Sequence, residues 1–219
     1  TTSTSSTLSV VLIGCGRVAE KHLKAISKLK GLELKAVVDV NPDSAKRLLG
    51  SVKGFANVKT FTDYKAAIDE IKPSIVSVTV PSGLHFQIAK YAMEHGSNLL
   101  LEKPMTMSVS EAREIFELSK KTGLKIAMGH IYRYLPIVGL VRQDIAEGKY
   151  GKVTHGSIYV RWGHGEDYYS SAAWRGTWKS DGGALMNQTI HAIDLLVWLM
   201  GSEPEEASAM IAQRVRNIE

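Results

Sequence analysis

The chain has one cysteine, no long apolar run and no block of like charge, and each lack removes a class of protein. Cys15 has no second cysteine with which to close an internal disulfide. The fold must therefore rest on its core, and a reducing compartment, the cytoplasm, is the expected location. The longest apolar stretch, near residues 195–200, falls far short of the roughly 20 residues a membrane-spanning helix needs, so no membrane association is expected. Lys and Arg outnumber Asp and Glu by 27 to 22, but they are spread along the chain and mingled with acids, which argues against a nucleic-acid partner. A mild positive field suits the gathering of an anionic cofactor or substrate. Residues 1–7, all Ser or Thr, lack the basic start and apolar stretch of a secretory signal and read as a disordered tail.

What remains is a chain of 219 residues, 44% hydrophobic, long enough to bury a substantial core. Residues 8–13 form a short Val- and Ile-rich run, followed at once by glycines and then by a helical pattern over 18–29. The alternation repeats, with strands expected at 32–39, 75–80, 98–101 and 125–128 and a weaker one at 58–61. These runs are continuous instead of alternating, as strands covered on both faces require. An α/β fold with a doubly wound parallel sheet follows. Past residue 130 the rhythm changes to a helix at 136–147, a strand at 152–162 and an irregular stretch rich in Gly, Tyr, Trp and Ser. A helix over 183–200 comes next, with Gly201 and Pro204 as stop signals, and then a last strand at 206–215. The expected division is a first domain over 8–130 and an incomplete α+β open-sheet domain over 131–219.

Gly14-Cys15-Gly16-Arg17-Val18-Ala19 fits the G-x-G-x-x-G/A phosphate-binding fingerprint. Gly14 permits the turn, Gly16 lets backbone approach a pyrophosphate, and Ala19 lets helix pack on strand. The helix start, with Arg17 and Val18, supplies free amides and a positive dipole end. Asp39 ends the second strand, twenty residues beyond Ala19, where an acid accepts hydrogen bonds from adenosine ribose hydroxyls. A 2′-phosphate there would meet like charge at a cost of about 1 to 4 kcal/mol, which favours NAD over NADP. The plainer reading of Asp39 is the opening of the turn Asp39-Val40-Asn41-Pro42.

Two elements carry candidate chemistry. Glu102-Lys103-Pro104 follows the strand at 98–101, at the carboxyl edge where such sheets bind ligands. There the Lys103 ammonium can donate to a substrate oxygen as it gains negative charge. Asn187, His191 and Asp194, spaced by four and three on an otherwise apolar helix, are expected on one face. A neutral His191 can take the proton of a secondary alcohol as hydride leaves its carbon. Metal is the competing use of such residues, but the spacing is not a zinc signature and cysteine is absent from the group, so no metal is expected. The stretch from Tyr168 to Trp178, with Trp174 and Arg175, has two readings. Arg175 offers a fork for carboxylate or phosphate and the rings suit a sugar, or the aromatics pack an irregular surface.

Together with the turn Val80-Pro81-Ser82-Gly83-Leu84-His85 and with Gly182-Gly183 ahead of His191 and Asp194, these segments resemble the Gfo/Idh/MocA family of oxidoreductases over essentially the whole chain. The resemblance implies a Rossmann domain followed by an open-sheet domain, with Lys103 and His191 facing substrate over the nicotinamide. It also implies that Pro81, Leu84, His85 and Glu102 help to seat the cofactor. Trp162, closing the expected strand at 152–162, joins that set. Tyr168, Trp174, Arg175, Asn187 and Asp194 are expected on the substrate side. Asn187 stands where many members carry Asp. With Trp-Arg-Gly-Thr-Trp upstream, it points to the branch that includes nucleotide-sugar 3-dehydrogenases.

The expected function is NAD-dependent hydride transfer at a ring carbon of a sugar or nucleotide sugar, for example a UDP-sugar uronate, in either direction. The alternatives are an NADP-dependent keto-sugar or inositol reductase and a non-catalytic NAD-binding module. Family members continue well beyond residue 219, so a shortened chain is expected, with homo-oligomer formation reserved for the full-length protein.

Overall fold

A parallel strand with helices on both sides must be apolar on both faces, and β1 (Leu8–Ile13) meets that demand by alternation. Val11 and Ile13 enter one buried cluster, Val10 and Leu12 the other. The computed structural model describes residues 7–55 and 57–214. The expected tail at 1–7 lies, but for Thr7, outside them. The chain divides into two compact units, Thr1–Gly129 and His130–Glu219.

In the first unit, β1 is followed by β2 (Leu32–Val38), β3 (Lys59–Phe61), β4 (Ile75–Val78), β5 (Asn98–Leu101) and β6 (Ile126–Met128). The six strands form one sheet in the order β3-β2-β1-β4-β5-β6, and every pairing is parallel. The helices are sorted by face. In α1 (Ala19–Lys28), Ala19, Leu23 and Ile26 recur at intervals of four and three. They join α2 (Pro42–Gly50) in burying the Val10 and Leu12 side. Residues of α3 (Tyr64–Ile71), α4 (His85–Glu94) and α5 (Val109–Thr122) bury the Val11 and Ile13 side. This is the doubly wound arrangement that the continuous apolar runs predict. One irregularity is invisible in the pattern: Val10 pairs with Leu34 but Val11 with Ala36. The extra residue, Lys35, swaps the faces of β2 so that Leu34 and Ala36 serve opposite clusters.

The second unit holds α6 (Pro136–Ala146), α7 (Glu166–Ser170), a π-helical turn (Leu185–Thr189) and α8 (Ile190–Met200). Gly201, at φ 71°, closes α8 as its stop signal predicts. Two sequence expectations are corrected here. Residues 152–162 and 206–214 form no strand, and 215 lies outside the described residues. A strand exists only where another accepts and donates its backbone hydrogen bonds, and no segment of this unit pairs with either one among the described residues. Gly156 nevertheless runs close over α8. A Cβ there would lie 2.8 Å from Leu196 and 2.9 Å from Met200.

Candidate functional site

In the first unit the sheet order reverses between β1 and β4, and open α/β sheets bind ligands outside the carboxyl ends of strands at such a reversal. Gly14 follows β1 there at φ +93°, and an added Cβ would lie 2.8 Å from the backbone of Thr79 and Val80. No side chain fits. The two strand ends are tied by Thr79, which donates its amide to Ile13 O at 2.8 Å and its hydroxyl to Gly14 O at 2.7 Å. Gly16 is glycine for a different reason, because a Cβ there would meet nothing within 4 Å. It would project into open space. No side chain caps the start of α1, which leaves the helix N-terminus to an anion. Exposed Val18 and Leu84 add apolar surface at this edge.

Asp39 makes the turn that its plainer sequence reading expects and also ties down the glycine loop. Its Oδ1 accepts the Asn41 amide at 2.9 Å, making the turn, and its Oδ2 accepts the Cys15 amide at 2.8 Å, fixing the glycine loop. A carboxylate oxygen has a further lone pair, so both remain able to accept a ribose hydroxyl. Cys15 itself is buried, and desolvation followed by the nearby Asp39 charge pushes its thiol up to about 12. It is not a nucleophile. The residues present fit a dinucleotide: a Cβ-free cradle, an uncapped helix start and an acid at the end of the adjacent strand.

At the end of β5, Glu102 and Lys103 stand on the same edge. Glu102 accepts from His22 Nε2 at 3.0 Å and, over a longer 3.3 Å, from the Lys103 amide. Burial works to raise its pKa, but the hydrogen bond and charge of His22 and the nearness of Lys103 outweigh it, leaving the carboxyl below its ordinary range. Next door, His85 is fully buried, with Nδ1 2.7 Å from Pro104 O and Nε2 3.0 Å from Val80 O. It clips the turn after β4 to the chain just beyond Lys103. Two carbonyls favour a second ring proton, yet desolvation disfavours the charge more, and the pKa is lowered. Pro81, which opens that turn, accepts the Leu84 amide on its carbonyl at 2.9 Å.

The second unit gathers the remaining candidates into three groups. Arg175 lies over the rings of Tyr168 and Trp174, at 3.9 and 4.6 Å, and His164 stacks on Tyr168 at 3.8 Å. The Arg175 Nε is buried without a hydrogen-bond partner. Asn187 donates to the buried carboxylate of Asp181, which also accepts the Gly176 amide at 2.9 Å. His191, in α8, packs against Tyr132 and lines a cavity of about 290 Å³ together with Trp162 and Gln188. Gln188 in turn donates to the Tyr168 hydroxyl at 3.0 Å.

Of the single helical face expected for Asn187, His191 and Asp194, the last two keep a common neighbour in His130, and Asn187 departs from it. Asn187 sits in the π-helical turn, whose i→i+5 bonds put more residues in each turn and break the four-residue stacking with His191. Asp194 is held instead by a bidentate pair with Arg133, at 2.8 and 2.6 Å, with His130 Nδ1 at 3.6 Å. Among the described residues, no group of three or more His, Cys, Asp and Glu side chains is arranged to hold a metal ion.

Comparison with known proteins gives this geometry its family. Residues 8–130 match the model described as oxidoreductase family, NAD-binding Rossmann fold, and residues 138–219 match the GFO/IDH/MocA C-terminal domain. The chain belongs to the Gfo/Idh/MocA family. The chain is 30% identical over 202 residues to the D-glucoside 3-dehydrogenase of Escherichia coli, covering 90% of this chain and 55% of that protein. It is 28% identical to the UDP-N-acetylglucosamine 3-dehydrogenase of Acidithiobacillus ferrooxidans, over 91% of this chain and 56% of the relative. The WlbA dehydrogenase from Bordetella pertussis, solved in complex with NADH and UDP-GlcNAcA, superposes with a TM-score of 0.82 at 28% identity, covering 89% of this chain and 57% of that one. The chain thus spans little more than half the length of these relatives.

For a family whose fingerprint is so legible, sequence reasoning still passed over His22, Ser77, Arg133 and Asp181. His22 lies three residues beyond Ala19 on α1, and Asp181 lies just before Gly182. Neither carries a signal without its partner, and the partners are 80 and 6 residues away.

Proposed function

We propose that the chain acts as an NAD-dependent dehydrogenase, taking hydride from a ring carbon of a sugar or nucleotide sugar. The observation that carries this reading is that the Cβ-free cradle after β1 and Lys103 after β5 occupy one carboxyl edge of the sheet. The cofactor supplies the acceptor for hydride. The protein's tasks are to hold it and to manage one proton. Gly14, Gly16, Arg17 and Val18 take the pyrophosphate, and Asp39 the ribose hydroxyls. Pro81, Leu84, His85, Glu102 and Trp162 complete the cofactor seat. The negative charge of Asp39 favours NAD over its 2′-phosphorylated form by about 1 to 4 kcal/mol.

In this reading Lys103 donates to the substrate hydroxyl oxygen as that oxygen gains negative charge, and neutral His191 accepts the proton the hydroxyl releases. The first unit is the cofactor domain and the second the substrate domain. Arg175, its Nε unpaired and its plane held by two rings, suits the carboxylate or phosphate of an anionic sugar. Tyr168, Trp174, Asn187 and Asp194 shape or support that side. The relatives' names, a glycoside and a UDP-sugar 3-dehydrogenase, support oxidation at a ring carbon. The free thiol of Cys15 fits a cytoplasmic setting.

The test is a screen of sugars, inositols and nucleotide sugars for NAD reduction, followed by Lys103→Met on the best substrate. NADH binding should persist while turnover falls by about 10² to 10³. Turnover equal to the unsubstituted protein's would remove Lys103 from the chemistry and this reading with it.

A further inference from the structure

His22 faces into the first unit from α1 and makes two hydrogen bonds to separate strands. Its Nδ1 lies 2.8 Å from the Ser77 hydroxyl on β4, and its Nε2 lies 3.0 Å from Glu102 Oε1 at the end of β5. Neither partner is on α1, and the side chains of His22 and Glu102 are only 11% and 15% exposed. A Ser, His and Glu in hydrogen-bonded series has the composition of a hydrolytic triad, but Ser77 is 1% exposed within a central strand. A nucleophile needs access to its substrate, so the series does something else.

The polarity of the series follows from the acceptors. An ionised carboxylate only accepts, and Glu102 is held ionised, so Nε2 carries the ring proton and donates to it. In the neutral ring Nδ1 is then the lone-pair side, and the Ser77 hydroxyl donates to it. Glu102 selects the tautomer, and Ser77, which can take either role, holds the ring in the plane that reaches Glu102. Glu102 is confined on another side as well. Residue 129, after β6, must lack a side chain, since a Cβ there would lie 2.8 Å from Glu102 Oε2 and 3.2 Å from Glu102 Cα. The carboxylate so fixed receives the Lys103 amide on Oε2 and faces the Lys103 charge.

We propose that His22 is a positioning residue for the hydride-transfer site: oriented by Ser77, it holds Glu102, and Glu102 holds the backbone and charge of Lys103. This rests on the dehydrogenase reading given above. It assigns no chemistry to His22 itself, which touches neither substrate nor cofactor in this role.

One readout is independent of activity. Long-range 1H–15N correlation on the unsubstituted protein should show His22 as the Nε2–H tautomer, and Glu102→Gln, whose amide can donate as well as accept, should move the ring toward a tautomer mixture. The Nδ1–H form in the unsubstituted protein would overturn the proposal. In turnover assays, His22→Phe should lower kcat between about 10- and 100-fold, the scale of a small misplacement of a reacting group, with the Kd for NADH, read by fluorescence, changed less than about threefold. His22→Gln, which keeps an N–H donor and similar bulk, should recover part of kcat and guards against a folding defect in the Phe variant. Lys103→Met, assayed in parallel, separates the two ideas. If it loses turnover while both His22 variants keep theirs, the positioning role fails and the dehydrogenase reading stands. If Lys103→Met keeps full turnover, the dehydrogenase reading fails and the positioning role with it.

Discussion

The two units of this chain both carry apolar runs and hold together in different ways. In the first, six strands share one hydrogen-bonded sheet, and almost every buried apolar side chain of the described residues lies there. In the second, Ala192 is the one apolar side chain among the described residues that reaches full burial, beside the polar Asp181 and Asn187, while Ile158, Tyr159 and Trp162 stay exposed. Apolar content does not make a core. A strand contributes only when a neighbour satisfies its backbone, and the runs at 152–162 and 206–214 have no such neighbour among the described residues.

Hydrogen exchange would put the largest number on that contrast. Amides of β1, β4 and β5 should exchange only through global opening, those of 152–162 through local motion, with protection differing by about 10³ or more. Comparable protection in both segments would mean that 152–162 is paired in solution, and the contrast would collapse.

Core truncation should sharpen it at the level of single side chains. Leu12→Ala, at a fully buried position, should cost about 2 to 5 kcal/mol in urea unfolding. Tyr159→Ala, 82% exposed, should change stability by about 0.5 kcal/mol or less. Similar losses at the two positions would contradict the difference in packing.

The smallest effect is the dependence on pH, and it should arise in the first unit. His85 has a lowered pKa when folded because it is desolvated. The unfolded chain therefore binds the extra proton more readily, and the contribution of neutral His85, complete above about pH 6.5, is lost as pH falls toward its folded value. Glu102, also lowered once its partners outweigh burial, adds a second loss beginning near pH 4.3, the unfolded value. Stability should thus fall in two stages on acidification. His85→Asn should flatten the first stage only, as followed by unfolding midpoints from about pH 8 to about pH 2.

The fold of the first unit was legible because each signal there is local. β5 was readable from the three leucines before Glu102, and Gly14 and Gly16 announce themselves by spacing. The Lys35 bulge was not legible, because it records which strand β2 lies beside. In the second unit α6 and α8 were legible from their period and their stops, but α7 lay in a stretch read as irregular, and the expected strands were not realised, since periodicity cannot report whether a partner exists. The same limit hid Asp194's engagement. Its spacing from His191 placed it on a helix face, but Arg133, 61 residues earlier, decides what its carboxylate does.

By itself, the sequence determined the parallel sheet, the phosphate turn and the edge on which Lys103 stands, because strand period, glycine conformation and helix start are properties of neighbouring residues. Tertiary structure alone decided that His22 grips Glu102, that Gly129 makes room for it and that Asn187 turns to Asp181. Each of those joins residues from different elements, and hydrogen bonds between them form only after the backbone has brought those elements together.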